Sequence, residues 1–167
     1  MLMHCPAPER VRALPYTRLR GFTLIEVMIT VVIVAILATV ALPAFLDQIR
    51  KGRRADAVDT LAQVQQAQER YRANNTSYGT HFIVVSGRMT GVGVSTDTNA
   101  AASFTTSSGY YTVTLPAASS GGYTATATAA SSQANDSKCT SLSMVVAGGN
   151  ATYNATGSST ANQCWNR

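Results

Sequence analysis

Between Glu26 and Asp47 the chain carries no charge, and nearly every position from Val27 to Leu46 is apolar. The stretch 22–46 is long enough, at ~1.5 Å per helical residue, to cross the ~30 Å hydrocarbon core of a bilayer with some tilt. Pro43 lies inside it, yet helix formers resume at once with Ala44, Phe45, Leu46 and Asp47, which predicts a kinked helix and not a terminated one. Beyond a basic knot at Arg50, Lys51, Arg53 and Arg54, apolar residues recur at three- and four-residue steps. They are Ala57, Leu61, Val64, Ala67 and Tyr71, with Ala55, Val58 and Ala62 widening the stripe. Asp56, Asp59, Gln66, Glu69 and Arg70 take the opposite face. One helix is therefore expected from about Thr23 to Ala73, roughly 75 Å long, with Asn74-Asn75-Thr76-Ser77 and Gly79 as its stop.

The segment 79–109 is rich in Gly, Ser, Thr and Asn, with a short apolar piece at 82–85, and reads as irregular. After it the apolar period falls to two. Tyr111, Val113 and Leu115 alternate with Thr112 and Thr114; Tyr123, Ala125, Ala127 and Ala129 alternate with Thr124, Thr126 and Thr128. Residues 116–122 read as the loop between these two strands. A third strand through Leu142, Met144 and Val146 reaches Gly148-Gly149-Asn150 and returns over 151–156, a hairpin signal. The small alanines of the second strand let a helix lie close, so helix stripe and sheet face are expected to share one core. The fold class is α+β, with an antiparallel sheet of about four strands.

Glu26 is the position that needs an explanation. A carboxylate within a membrane helix costs roughly 2.5–3.5 kcal/mol on insertion scales, which makes it a functional residue with a partner to be named. A cut between Gly21 and Phe22 would create that partner, because the new α-amino group of Phe22 would stand four residues before Glu26, the spacing at which helical neighbours meet. An ordinary secretory signal or a simple anchor also begins with basic then apolar residues, but neither accounts for Glu26.

The run GFTLIEVMITVVIVAILATVALPAF, with the basic stretch before it, resembles the class III signal of type IV pilins and related pseudopilins. The resemblance implies that 1–21 is a leader removed by a membrane peptidase, and that Phe22 is the N-methylated mature terminus. It makes Glu26 the docking carboxylate for filament entry and Pro43 the helix-kinking proline. It also implies a pilin fold in which 22–46 is the transmembrane and filament-core half of the helix. The remainder, 47–167, becomes a periplasmic or surface-exposed head, with an αβ-loop at 79–109, a sheet over 110–156 and a disulfide region at 139–164. The segment from Arg53-Arg54-Ala55-Asp56-Ala57 to Gln68-Glu69-Arg70-Tyr71 is similar to PilE-type minor pilins, as is the tail from Cys139-Thr140-Ser141 to Cys164-Trp165-Asn166.

Charge changes this picture little. The leader holds Arg10, Arg12, Arg18 and Arg20 against Glu9, a balance of +3, so only +2 of the formal +5 belongs to the rest. The remainder lacks the clustered basic residues with interleaved aromatics of a nucleic-acid surface, and no specific nucleic-acid partner is expected. Basic residues flank the span on both sides, so charge alone does not orient it. The resemblance does: the leader is cytoplasmic and the head lies outside. Cys5 leaves with the leader. Cys139 and Cys164 then form an even pair in a noncytoplasmic domain, which favours a disulfide, with two buried free thiols as the alternative.

Enzyme chemistry is not expected, since the sequence offers no Ser/His/Asp set, phosphate loop or carboxylate pair in an evident pocket. Neither a metal nor a cofactor is expected, because His4 and His81 lack ligand spacing and Asp97-Thr98-Asn99 lacks a calcium-loop ligand series. What the resemblance implies is a structural subunit of the type IV pilus, a minor pilin needed for pilus assembly or priming in twitching motility, adhesion or DNA uptake, with a pseudopilin of type II secretion as the alternative. The implied partners are other pilin subunits, the prepilin peptidase/N-methyltransferase, the inner-membrane assembly platform and the bilayer. The implied locations are the bacterial inner membrane before assembly and the pilus surface after it.

Overall fold

The computed structural model describes residues 21–83, 93–97 and 100–166. The leader residues 1–20, Val84 and Val85 of the short apolar piece, and Thr98-Asn99 fall outside the described residues. The chain forms two compact units, divided after Ala41.

In the first unit the described residues are the start of helix α1 (Leu24–Asn74), which continues into the second unit with Pro43 inside it. The large apolar side chains from Phe22 to Val40 are all exposed. This helix is long and apolar enough to cross a membrane, and the apolar part of it is not buried against any other part of the described residues. The hydroxyls that interrupt it are satisfied locally. Thr30 and Thr39 donate to the carbonyls of Val27 and Ile36 at 2.8 and 2.7 Å, so neither carries an unpaired group into the apolar run.

In the second unit α1 lies against a five-stranded antiparallel meander of β3 (Ser103–Thr105), β4 (Tyr111–Ala118), β5 (Gly122–Ala129), β6 (Ser141–Ala147) and β7 (Asn150–Thr156), in that spatial order. A separate pair, β1 (His81–Phe82) and β2 (Val94–Ser95), sits within the segment expected to be irregular. The sheet therefore has one strand more than expected, and it begins at 103, not at 110. The extra strand escaped because its three residues are too few to show a period and only Phe104 among them is apolar; it is held by pairing with Thr112, Val113 and Thr114. The loop expected at 116–122 is also shorter. β4 runs through Pro116 to Ala118, and the register shifts between Thr114 and Ala117, the kind of irregularity that accommodates a proline lacking its amide hydrogen.

The β6–β7 hairpin turns on Gly148 and Gly149, both with positive φ (56° and 82°), as a two-residue turn of this hand requires. Ala57, Leu61 and Val64 of α1 are fully buried in one core with Tyr111, Val113, Ala125, Ala127 and Leu142. The alanines at 125 and 127 leave room for the helix, as their size suggests. The buried stripe differs from the expected one at its margin. Ala55 and Ala62 are exposed, whereas Arg54 and Gln68 turn inward, because 54, 57, 61, 64 and 68 follow the three- and four-residue steps of a single face. Gln68 clamps the end of the helix to the chain that follows, donating to the Gly79 carbonyl at 2.8 Å and accepting from its amide at 2.9 Å.

Candidate functional site

At the start of α1, Thr23 precedes the first helical residue and its Oγ1 accepts a hydrogen bond from the Glu26 amide at 3.3 Å. This is an N-cap contact, and it satisfies one of the donors that a helix start leaves free. Glu26 lies in the first turn, where the positive end of the helix dipole favours a carboxylate. Gly21 and Phe22 are exposed ahead of the helix. Gly21, Phe22 and Glu26 thus gather at one helix end, while Pro43 stands well along the same helix.

The second unit gathers a different set of groups around the base of its helix. Cys139 and Cys164 are joined in a disulfide with Cα atoms 5.7 Å apart, and both are buried. The bridge ties the chain entering β6 to a short helix, α2 (Ala161–Cys164), which is held by a capping box between Thr160 and Gln163. Trp165 follows, packs edge-on against Tyr153 at 4.8 Å between centroids, and donates its indole N–H to the Asn154 carbonyl at 2.8 Å. Its role in the fold is that of a packing residue.

Next to the disulfide, Asp136 is buried and accepts from both Nε and Nη2 of Arg54, at 2.7 and 2.8 Å. It also accepts from the Gln133 amide at 3.0 Å and from the backbone amides of Lys138 and Cys139. The bond to Asp136 raises the Arg54 pKa, against the lowering effect of burial. Gln133 further donates to the Tyr111 hydroxyl at 3.2 Å and to the Arg50 carbonyl at 3.2 Å. Burial pushes the Tyr111 hydroxyl up to about 12. Sequence reasoning missed Arg54, Gln133 and Asp136 as a group. The one available signal was an arginine three residues before Ala57, on the buried stripe.

Two further contacts engage cations that follow the apolar segment. Lys138 pairs with Asp47, which lowers the Asp47 pKa chiefly through their hydrogen bond. Arg53 lies over the Tyr110 ring, 4.1 Å from its centroid, and donates to the Ser132 hydroxyl at 2.9 Å. Among the described residues no group of His, Cys, Asp and Glu is arranged to hold a metal ion. The arrangement offers bracing and exposed contact surface.

Comparison with known proteins agrees with this anatomy. Residues 17–42 match the prokaryotic N-terminal methylation motif, and residues 43–143 match a family described as type IV minor pilin ComP, DNA uptake sequence receptor. Among individual relatives, a type II secretion system core protein G from Pectobacterium carotovorum is 34% identical over 61 residues, covering 36% of this chain and 39% of that protein. The core protein G of Vibrio cholerae is 38% identical over 60 residues, covering 36% and 41%. Fimbrial protein Q of Moraxella bovis is 51% identical over 43 residues, covering 26% and 27%. The chain thus spans less than half the length of the curated relatives it matches. The minor-pilin match, by contrast, extends over more than half of this chain and takes in α1 from Pro43 onward, the first strands of the sheet and the Arg54–Asp136 pair. With a methylation motif on an exposed apolar helix and a minor-pilin head behind it, the chain belongs to the type IV minor pilin ComP family.

Proposed function

We propose that the chain is made as a prepilin, cut between Gly21 and Phe22 by a prepilin peptidase that also N-methylates Phe22, and stored as a single-pass inner-membrane protein through 22–46. From there the assembly platform moves it into a type IV pilus, where it serves as a minor subunit for assembly or priming, with twitching and adhesion as the dependent activities. One observation carries this reading: an apolar helix half with no packing partner among the described residues is joined to a head of the minor-pilin type. Lipid covers such a surface in the stored subunit, and neighbouring subunits cover it in a filament. Glu26 then pairs with the Phe22 amine, its own before assembly and a neighbour's afterwards, where charge and helix dipole act together. Pro43 supplies the local helix adjustment between the two environments.

The test is mass spectrometry of sheared pili and of the inner-membrane fraction from the same cells. An N-methylated Phe22 peptide in the pili is the expected result. The same peptide confined to the membrane would favour the secretion pseudopilin suggested by the core protein G relatives, and a different N-terminus would overturn the processing scheme.

The family description adds a second reading, capture of DNA during uptake. Arg50 and Lys51, which have no hydrogen-bond or ion-pair partner for their side chains among the described residues, favour it. Phosphate binding by them predicts affinity for duplex DNA that falls steeply as salt rises. Binding that is absent at low salt would remove this reading without touching the structural one.

A further inference from the structure

One face of the five-stranded sheet is covered by α1; the other has no such cover among the described residues. Alternate residues of a strand point to opposite faces, so the neighbours of the buried Val113, Ala127 and Leu142 look away from the core. Followed across the strand registers, they form two complete rows. One row is Thr105, Thr112, Thr128, Ser141 and Thr156. The next is Ser103, Thr114, Thr126, Ser143 and Asn154. Every position in both rows carries a hydroxyl or an amide, and none of these residues is buried. With strands ~4.8 Å apart, each row is about 19 Å wide, and the rows stand about 7 Å apart along the strands. Threonine is common in strands, so its presence alone says little. The absence of charge says more. Between 103 and 156 the charged residues are Asp136 and Lys138, which lie outside the strands and are paired with Arg54 and Asp47. Protein surfaces, and sheet edges above all, ordinarily carry charges. Ser141 and Thr156 bond to each other at 2.7 Å, but the hydroxyls of Thr112, Thr126, Thr128 and Ser143 make no hydrogen bond among the described residues.

We propose that this face binds an extended, neutral polysaccharide, its two rows exchanging hydrogen bonds with the hydroxyls along the polymer. This gives a ligand class to the adhesion named above and rests on that reading for its place at the cell surface. Charge complementarity selects the class. An acidic or basic polymer finds no opposite charge on the face, and an apolar partner would strip water from the hydroxyls and leave them unpaired. A polyhydroxyl chain replaces each lost water contact with a donor and an acceptor of the same kind. Single hydroxyl pairs are weak in competition with water. A polymer that meets several strands at once gains through multivalency, and a free monosaccharide does not.

The test is retention of the full-length protein, held in detergent, on insoluble cellulose and on chitin, with carboxymethyl cellulose as the anionic counterpart. Retention by a neutral solid is expected to be the same at low and high salt and to resist elution with glucose. Thr126 stands on the central strand, so Thr126→Lys should lower the retained fraction about tenfold, and Thr126→Val, which keeps the shape and removes only the hydroxyl, about threefold. Ala134→Lys adds the same charge at an exposed position off the sheet and should change nothing. Melting temperatures establish that the variants fold, and Thr126→Val carries the test if Thr126→Lys does not. Three results overturn the proposal: no retention by either neutral solid, retention unaltered in the folded Thr126 variants, or retention by carymethyl cellulose alone that salt removes. Each of them leaves an N-methylated Phe22 peptide in pili, and so the pilus reading, standing. A protein that is retained by cellulose or chitin but missing from sheared pili overturns the pilus reading and supports the binding face.

Discussion

Arg54 and Asp136, 82 residues apart in sequence, meet in a two-pronged ion pair that fastens α1 to the turn preceding the disulfide. Both side chains are buried, so the pair must be judged by what is left when one partner goes. Removing the arginine strands a buried carboxylate and typically costs about 3–5 kcal/mol. Arg54→Ala should therefore unfold at markedly lower urea concentration than the unaltered protein. Asp136→Ala should be worse, because Gln133 and the amides of Lys138 and Cys139 lose their acceptor as well. Equal denaturation midpoints for Arg54→Ala and the unaltered protein would show that the pair adds nothing.

Tyr123 offers a contrast. Its ring packs on Tyr78 at 4.9 Å between centroids, but its hydroxyl is buried without a hydrogen-bond partner among the described residues. An unsatisfied buried hydroxyl is unfavourable by about 1–3 kcal/mol. Tyr123→Phe should leave the melting temperature unchanged or raise it, whereas Tyr111→Phe should lower it by removing the bond from Gln133. Thermal unfolding of the two variants side by side decides this, and a large loss for Tyr123→Phe would contradict the assignment.

Alkaline pH should expose the same two tyrosines. Burial raises the pKa of both, that of Tyr111 to about 12 from an unfolded value of 10.0. A folded pKa above the unfolded one gives stability that is complete below about pH 10 and is lost as pH rises towards 12. Absorbance titration should show Tyr111 and Tyr123 ionising above the range of a free tyrosine, with unfolding setting in over that window.

Asp47 acts at the other end of the scale. Lys138 lowers its pKa below 3.8, so their contribution is present near neutrality and is lost as pH falls through the lowered value. Lys138→Ala should move the Asp47 titration upward in a carboxyl-detected NMR experiment. Since the pair is solvent-exposed, the effect on melting temperature at neutral pH should be slight.

Two substitutions address stability and assembly separately. Cys139→Ser opens a cross-link across a sequence separation of 25, worth about 3 kcal/mol on the chain-entropy view, and should make the head protease-sensitive. Glu26→Ala should leave membrane insertion and cleavage intact while the protein disappears from sheared pili. Normal incorporation of that variant would sink the docking role of the carboxylate.

The membrane-length helix, the passage through Pro43, the amphipathic stripe from Ala57 to Val64 and the alternating strands around Val113 and Ala125 could all be read from the sequence. So could the processing motif around Glu26. Each is a local signal: residues a few positions apart share a face because of helix or strand period, and a lone carboxylate in an apolar run stands out without any knowledge of the fold. Tertiary structure alone decided which residues meet across long separations. The strand at 103–105 exists because Thr112–Thr114 present an edge to it, Trp165 is buried because the disulfide brings it beside Tyr153, and Arg54 turns inward because Asp136 waits at the end of a 3₁₀ turn. No period encodes such meetings. They depend on sheet register and on loop paths that the whole chain sets together, which is why Arg54 stood only as one member of a basic knot until its partner was in place.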